Sequence, residues 1–233
     1  MPKVAIVVAL EREVSGLIEK FDRVEREYDG RRFTFFERDE MVVVCGGIGL
    51  EAARRAAGAV IALYQPILLQ SVGFAGALQS DMRVGDIFAP AVVVDARDGS
   101  RIEIEGGKGV LVTFMAVAGI QQKANLTRSY GAGAVDMEAA AVAAAARAHR
   151  IMFRAIKVIS DESNFEMPEM ALFLDAQGRF RTASFARFVV LRPWLWRRVV
   201  ILASNSRKAG GILSQHLKLL SQTPTHVIEA KTP

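Results

Sequence analysis

The sequence predicts an α/β fold in which a largely parallel sheet is covered by helices on both faces. Three observations carry that expectation. Runs such as VAIVVAL and FRAIKVIS are almost continuously apolar, as strands buried on both sides must be. These runs alternate along the chain with segments whose apolar residues recur at helical spacing. A hydrophobic content of 51% over 233 residues supplies ample core material for one large domain or two small ones.

Taken in order, VAIVVAL reads as the first strand and EREVSGLIEKF as a helix. RRFTFFER and EMVVVCG read as a strand pair, followed by a helix over LEAARRAAGAVIALY. PILLQSV, DIFAPAVVVDA and GVLVTFMAV have strand patterns, and IQQKANLTRSYG has a helical one. Ala139 to Ala148 is helical because alanine is the best helix former, and FRAIKVIS is a further strand. After Asp161, ESNFEMPEMALFLDAQGRF mixes polar and turn residues. The chain therefore divides into a body, residues 1–176, and a basic, aromatic, helical extension of the same domain, residues 177–233.

Charge follows that division. Residues 177–233 hold ten Lys or Arg against one acid, a charge of +9, which leaves −4 for residues 1–176 within the overall +5. Cys45, the single cysteine, excludes an internal disulfide and reads as a buried, inert thiol. His149, His216 and His226 show no ligand spacing, so no metal is expected. No run of about 18 uncharged apolar residues is present, and Glu11 and Glu13 follow the first apolar run at once, which points to a cytoplasmic protein without a membrane span. The basic tail carries no nucleic-acid-binding motif.

In open α/β sheets ligands sit beyond the carboxyl ends of strands. Three acids occupy such places: Glu13 after VAIVVAL, Glu138 after GAVDM, and Asp161 after FRAIKVIS. Each also has a purely structural reading, Glu13 as a solvated first-turn acid, Asp161 as a turn residue, and Asp136 with Glu138 as caps of the alanine helix. The glycines Gly46, Gly47 and Gly49 do not match G-x-G-x-x-G and read as a tight turn. Cleaving an N-glycosidic bond passes through an oxocarbenium-like sugar. It asks for a proton donor at the base, an acceptor for the ribose hydroxyls and a group that activates water. Asp161, Glu138 and Glu13 are chemically able to divide those tasks.

VALEREV, VVCGGIGLEAA, VGFAGALQSDMRVGDIF, AVDMEAAAVA and KVISDES, in this order, resemble the purine nucleoside phosphorylase and nucleosidase superfamily over roughly residues 3 to 165. The resemblance implies a three-layer α/β/α sandwich with a twisted mixed sheet, a purine nucleoside as substrate, no metal or other cofactor, and a homo-oligomer, with a dimer favoured. Carried over by position, Glu138 is the ribose ligand with Met137 packed on the sugar. Asp161 is the acid at the purine, Glu13 matches the water-activating glutamate of the adenosylhomocysteine and methylthioadenosine nucleosidases, and Asp136 is left to cap.

The departures from the family are specific. Phe74 stands where many relatives place Ser or Thr in the GxAG element, and Ser71 stands where the hexameric phosphorylases carry a phosphate-binding arginine. Phe74, Ala75, Gly76 and Val117, the last within AVAG at 116–119, are assigned to the base or anion side. Arg12 is the candidate ligand should inorganic phosphate replace water as co-substrate. The segment Asp95 to Thr113 is shorter than in the small nucleosidases.

The tail, with MPEMALFLDAQGRF before it, is similar to the hopanoid-associated branch, whose proposed task is removing adenine from adenosylhopane. Trp194 and Trp196 with Arg192, Arg197 and Arg198 are residue types that settle at a bilayer interface, which gives peripheral membrane contact as one expectation. An ordinary helix with its aromatics on the core is the other. Phosphorolysis of small nucleosides and a non-catalytic nucleoside- or lipid-sensing module are the alternative functions.

Overall fold

The structure, a computed structural model, describes residues 3–166, 170–173 and 180–222. The expected division at 176/177 and His226 lie outside those residues. One mixed, largely parallel sheet of eleven strands organises the rest. At its centre run β1 (Val4–Val8), β5 (Leu68–Ala77) and β11 (Met152–Asp161), parallel to one another and flanked by parallel β4 (Met41–Cys45). Strands β2 (Asp22–Tyr28) and β3 (Arg31–Arg38) extend the sheet antiparallel on the β4 side. On the other side β10 (Ala134–Asp136), β9 (Val110–Thr113), β7 (Val92–Asp95) and β8 (Arg101–Glu103) follow in that order. The two-residue β6 (Ile87–Phe88) pairs with β11.

The continuous apolar runs are explained by burial on both faces. Ala5 and Val7 of β1 pack on one side with α2 (Leu50–Tyr64) and α4 (Ala139–Ala148), whose alanines let the helices sit close. Ile6 and Val8 pack on the other with α1 (Ser15–Ile18) and with Ala209, Leu213 and Leu217 of α6 (Pro193–Gln222). The remaining α-helices among the described residues are α3 (Ile120–Tyr130) and α5 (Thr182–Val190). Strand β5 divides its edges: Leu68 to Ser71 bond β1, whereas Gly76 and Ala77 bond β10 antiparallel. β1 and β10 are thereby splayed, and a cleft opens over the end of β5.

Several elements differ from expectation. EREVSGLIEKF is a 3₁₀ turn, Glu11–Glu13, followed by the single turn of α1, because β-branched Val14 and Gly16 are weak helix formers and Gly16 packs against Ser214. DIFAPAVVVDA is two strands, since Pro90 has no N–H for a ladder. β2 lacks an inward apolar face and so lacks the pattern of a strand. Its signal was the turn, where Asp29 and Gly30 both take positive φ, as a two-residue type I′ hairpin requires. Phe114 to Val117 leave the sheet after β9 rather than prolonging it.

Cys45 is half-buried, and burial, with the charges of Glu11 and Glu13, pushes its thiol up to about 12. In the tail, Trp194 and Trp196 are 71% and 51% exposed and do not join the core, while Leu213 and Leu217 do. No helix among the described residues is long and apolar enough to cross a membrane. Leu213→Ala is expected to lower stability by about 2–5 kcal/mol in urea titration, whereas Trp194→Ser should change it by no more than about 0.5 kcal/mol.

Candidate active site

The strand ends around that cleft enclose a cavity of about 610 Å³. Its floor brings together Glu13, Phe74, Ala75, Gly76, Met137, Glu138 and Asp161, and Arg12 and Val117 stand in its walls. All nine of the expected site residues thus face one space. Ala116 to Ala118 line it as well, and the tail contributes Phe180, Phe185, Val199, Leu202 and Ala203 together with Ser206 and Arg207. Arg12 lies between this cavity and a neighbouring one of about 720 Å³ lined also by Arg31, Arg32 and Arg55.

Glu13 is held in the 3₁₀ turn after β1, 6% exposed, and its Oε2 has no hydrogen-bond partner among the described residues. That oxygen lies over Gly73, where a methyl group would stand 2.8 Å away and where φ is +148°, a conformation open to glycine alone in practice. Burial first, and the charge of Glu138 second, push the Glu13 carboxyl up to about 8, against the pull of Lys157, the Leu10 backbone and Arg12.

Asp136 and Glu138 have different partners at the start of α4. Asp136 Oδ2 accepts from Ala139 N–H at 2.8 Å, and Oδ1 accepts from the Thr113 hydroxyl at 2.6 Å. Glu138 makes no cap bond. Its Oε1 accepts instead from Gly49 N–H at 2.8 Å and its Oε2 from Met137 N–H at 3.2 Å. The glycine turn therefore presents its N–H to a side-chain carboxylate at the start of α2. Burial, then the charge of Asp136, raise Glu138 to about 7, with Lys157 and the two N–H donors opposing.

Sequence reasoning missed two lysines. Lys157, 1% exposed, reaches from the middle of β11 to Asp136 Oδ2 at 2.8 Å and donates to Ser71 Oγ at 3.1 Å. Burial alone would lower its pKa, but Asp136, Glu138 and Glu13 outweigh that and leave it raised. Its signal was a charge in the centre of an otherwise apolar strand, which demands a buried counter-charge. Lys123, also 1% exposed, bonds Asp161 Oδ2 and donates to the Glu162 carbonyl at 2.7 Å. It stands three residues from Leu126 on the inward stripe of α3.

Asp161 itself is 3% exposed. It is aimed by a bulge: β11 pairs Ile159 with Ala75 and Asp161 with Gly76, so Ser160 is the extra residue. The Ser160 hydroxyl then donates to Asp161 Oδ1 at 2.8 Å. Asp161 thus has a partner on each oxygen, the Ser160 hydroxyl and the buried Lys123 amine. Among the described residues no three or more His, Cys, Asp or Glu side chains are grouped to hold a metal ion.

Glu13 and Glu138 set a stability dependence on pH. Both folded-state values lie above the ordinary 4.5, so between about pH 5 and pH 8 the folded chain keeps protons that the unfolded chain has released. Stability must fall as pH rises through that window. Glu13→Gln is expected to flatten the decline and to melt above the wild type at pH 8, each 1 kcal/mol being worth about 2–4 °C in a chain of this size. Melting curves recorded in parallel from pH 5 to pH 8 measure it.

Comparison with known proteins agrees with this architecture. A nucleosidase for 5′-methylthioadenosine from Arabidopsis thaliana superposes with a TM-score of 0.74 at 17% identity, covering 100% of this chain and 98% of its own. S-adenosylhomocysteine nucleosidase from Streptococcus pyogenes gives 0.69 at 18% identity, covering 96% and 98%. Futalosine hydrolase from Helicobacter pylori gives 0.66 at 18%, covering 94% and 98%. No curated protein matches the chain. The profile of the phosphorylase superfamily matches residues 3–114 and 108–189, most of the sequence, and the chain belongs to that superfamily of enzymes.

Proposed function

We propose that the protein cleaves the N-glycosidic bond of a purine nucleoside of the adenosyl type and releases the base to water. The observation that carries this reading is the placement, around one cavity, of three differently held acids: an orphan carboxyl oxygen on Glu13, a backbone-anchored Glu138, and Asp161 backed by a lysine. The nucleosidases that share the fold act, by their names, on 5′-methylthioadenosine, S-adenosylhomocysteine and futalosine.

Each role follows from what its group already bonds. A carboxylate offers about four lone-pair positions, and Glu138 spends two on Gly49 and Met137 N–H, leaving two for the 2′ and 3′ hydroxyls. Met137 then lies against the sugar, and Phe74, Ala75, Gly76 and Val117 enclose the base beside Asp161. Proton delivery to a ring nitrogen lets the C1′–N9 bond break with its electron pair going to the base. Glu13, its carboxyl pushed up to about 8, takes the proton of the water that adds to C1′.

Hydrolysis is preferred to phosphorolysis because the attacking side is lined by Glu13, Asp136 and Glu138 around Lys157, and Ser71 is turned to that lysine rather than to the cavity. Arg12, with the arginines of the adjoining cavity, is where phosphate would bind instead.

The finer reading is a substrate with a large apolar 5′ group, adenosylhopane in hopanoid biosynthesis. Phe180, Phe185, Val199 and Leu202 supply an apolar wall, and exposed Val190, Leu191, Trp194, Trp196 and Val200 sit among arginines, as suits peripheral contact with an anionic leaflet.

Two outcomes test the chemistry. With 5′-octylthio-5′-deoxyadenosine in phosphate buffer, free sugar and adenine are expected; a sugar 1-phosphate as sole product overturns hydrolysis. Asp161→Asn should lower turnover about 10²–10⁴-fold. Glu138→Gln should weaken ribosides more than their 2′-deoxy counterparts, and equal losses would leave Glu138 a structural residue. For the tail, co-sedimentation with anionic vesicles at low salt is expected. Replacing Trp194, Trp196, Arg197 and Arg198 together should abolish it while sparing cleavage of a soluble nucleoside; a wild type that ignores vesicles removes the membrane reading.

A further inference from the structure

We propose that Lys123 is a positioning residue that holds the proton which Asp161 delivers to the leaving base, an inference that rests on the glycosidic reading above. Its geometry is particular. Asp161 accepts from Ser160 on Oδ1 and from Lys123 on Oδ2, and both members of the ion pair are almost wholly buried, so the ammonium is the acidic group already in contact with the carboxylate. The Glu162 carbonyl takes a second Lys123 N–H at 2.7 Å and fixes the direction of the amine. Beneath the pair runs Gly76, where a methyl group would stand 2.8 Å from Asp161 Oδ2 and 3.3 Å from Lys123 Cε. The strand carries no side chain where the pair must lie.

Stability is a poor reason for this arrangement. Desolvating two charges offsets most of their attraction, and apolar residues of like volume commonly serve a core as well or better. Lysine also differs from arginine in the one property that a proton source needs: a buried ammonium can give up its proton, and a guanidinium cannot.

The step balances as follows. A proton passes from Lys123 Nζ to Asp161 Oδ2, and Asp161 passes one to a ring nitrogen of the purine. The C1′–N9 bond breaks, its electron pair goes to the base, and the base leaves neutral, with Lys123 as the amine and Asp161 as the carboxylate. Water adding to C1′ gives its proton to Glu13. After products depart, that proton is exchanged with solvent and Lys123 is recharged.

Lys123→Arg and Lys123→Met, compared with wild type on two substrates, test it. On 5′-octylthio-5′-deoxyadenosine both variants are expected to lose about 10²-fold or more in turnover, the usual worth of a general acid. On 4-nitrophenyl β-riboside, whose phenolate leaves without a proton, turnover should hardly change. The alkaline limb of the wild-type kcat profile on the nucleoside should also be absent in Lys123→Arg. Near wild-type nucleoside turnover in Lys123→Arg overturns the proposal, because the charge and not the proton is then used. Equal losses on both substrates overturn it as well, by making the lysine merely structural. Should Lys123→Met not fold, Lys123→Arg, which keeps the ion pair, decides alone. A wild type inert on both substrates removes the glycosidic reading and this inference with it, whereas a wild type active beside an equally active Lys123→Arg removes only this inference.

Discussion

Three carboxyl groups, Glu13, Asp136 and Glu138, share the buried ammonium of Lys157. The arrangement of the strand ends depends on that shortage of positive charge. Burial first, and a neighbouring carboxylate second, drive two of the acids, Glu13 and Glu138, upward toward neutrality, and the single cation offsets this only in part. Asp136 takes the direct bond to Lys157, with the Thr113 hydroxyl and the Ala139 N–H as further donors, and is the settled member of the three. All three line the cavity, and the two that do not bond Lys157 directly are the two whose values are raised.

Lys157 is also a mechanical tie. It rises from β11, bonds β5 through Ser71 and reaches β10 through Asp136, which crosses the place where β5 exchanges β1 for β10 as its neighbour. A splayed sheet loses ladder bonds at such a point, and the buried ion pair spans the gap. Breaking a pair of this kind by removing one partner generally costs about 3–5 kcal/mol, because the other charge stays buried. The opening is stabilised by the same lysine that partly offsets the rise of Glu13 and Glu138.

The sheet was largely legible because burial on both faces leaves a strong mark: β1 is apolar throughout, and β5 and β11 are mostly apolar, broken by Gln70 and Ser71 in the one and by Arg154 and Lys157 in the other. β2 was not, since an edge strand with polar residues on both faces carries no periodic signal, and only its Asp-Gly turn announced it. Of the site, the acids were legible as charges at strand ends. The lysines were not, because a buried cation is identified by its partners, and Asp136 with Lys157, or Asp161 with Lys123, lie 21 and 38 residues apart. Strand order had to be known first. The Ser160 bulge was equally hidden, because a shift of one residue leaves the pattern of apolar and polar residues unaltered up to the point where it occurs.

Floor and wall of the cavity come from different physics and different parts of the chain. On the floor, every acid is bound to backbone, to a lysine or to a turn that a rigid sheet positions, which is what placing reacting groups within a fraction of an ångström requires. The tail wall is mostly apolar, with Ser206 and Arg207 beside its apolar residues, and packs through Phe173, Phe185 and Phe188 edge to face and through Leu202 and Ala209 on the body. Apolar contacts are non-directional, so this wall can change its contour by exchanging side chains without disturbing a single hydrogen bond of the floor. Under the proposed reaction, the sheet decides which bond is cleaved, and the tail decides which 5′ substituent is admitted beside it. The exposed Trp194 and Trp196, in the first turn of α6, stand on the same element as Val199, Leu202 and Ala203 of that wall.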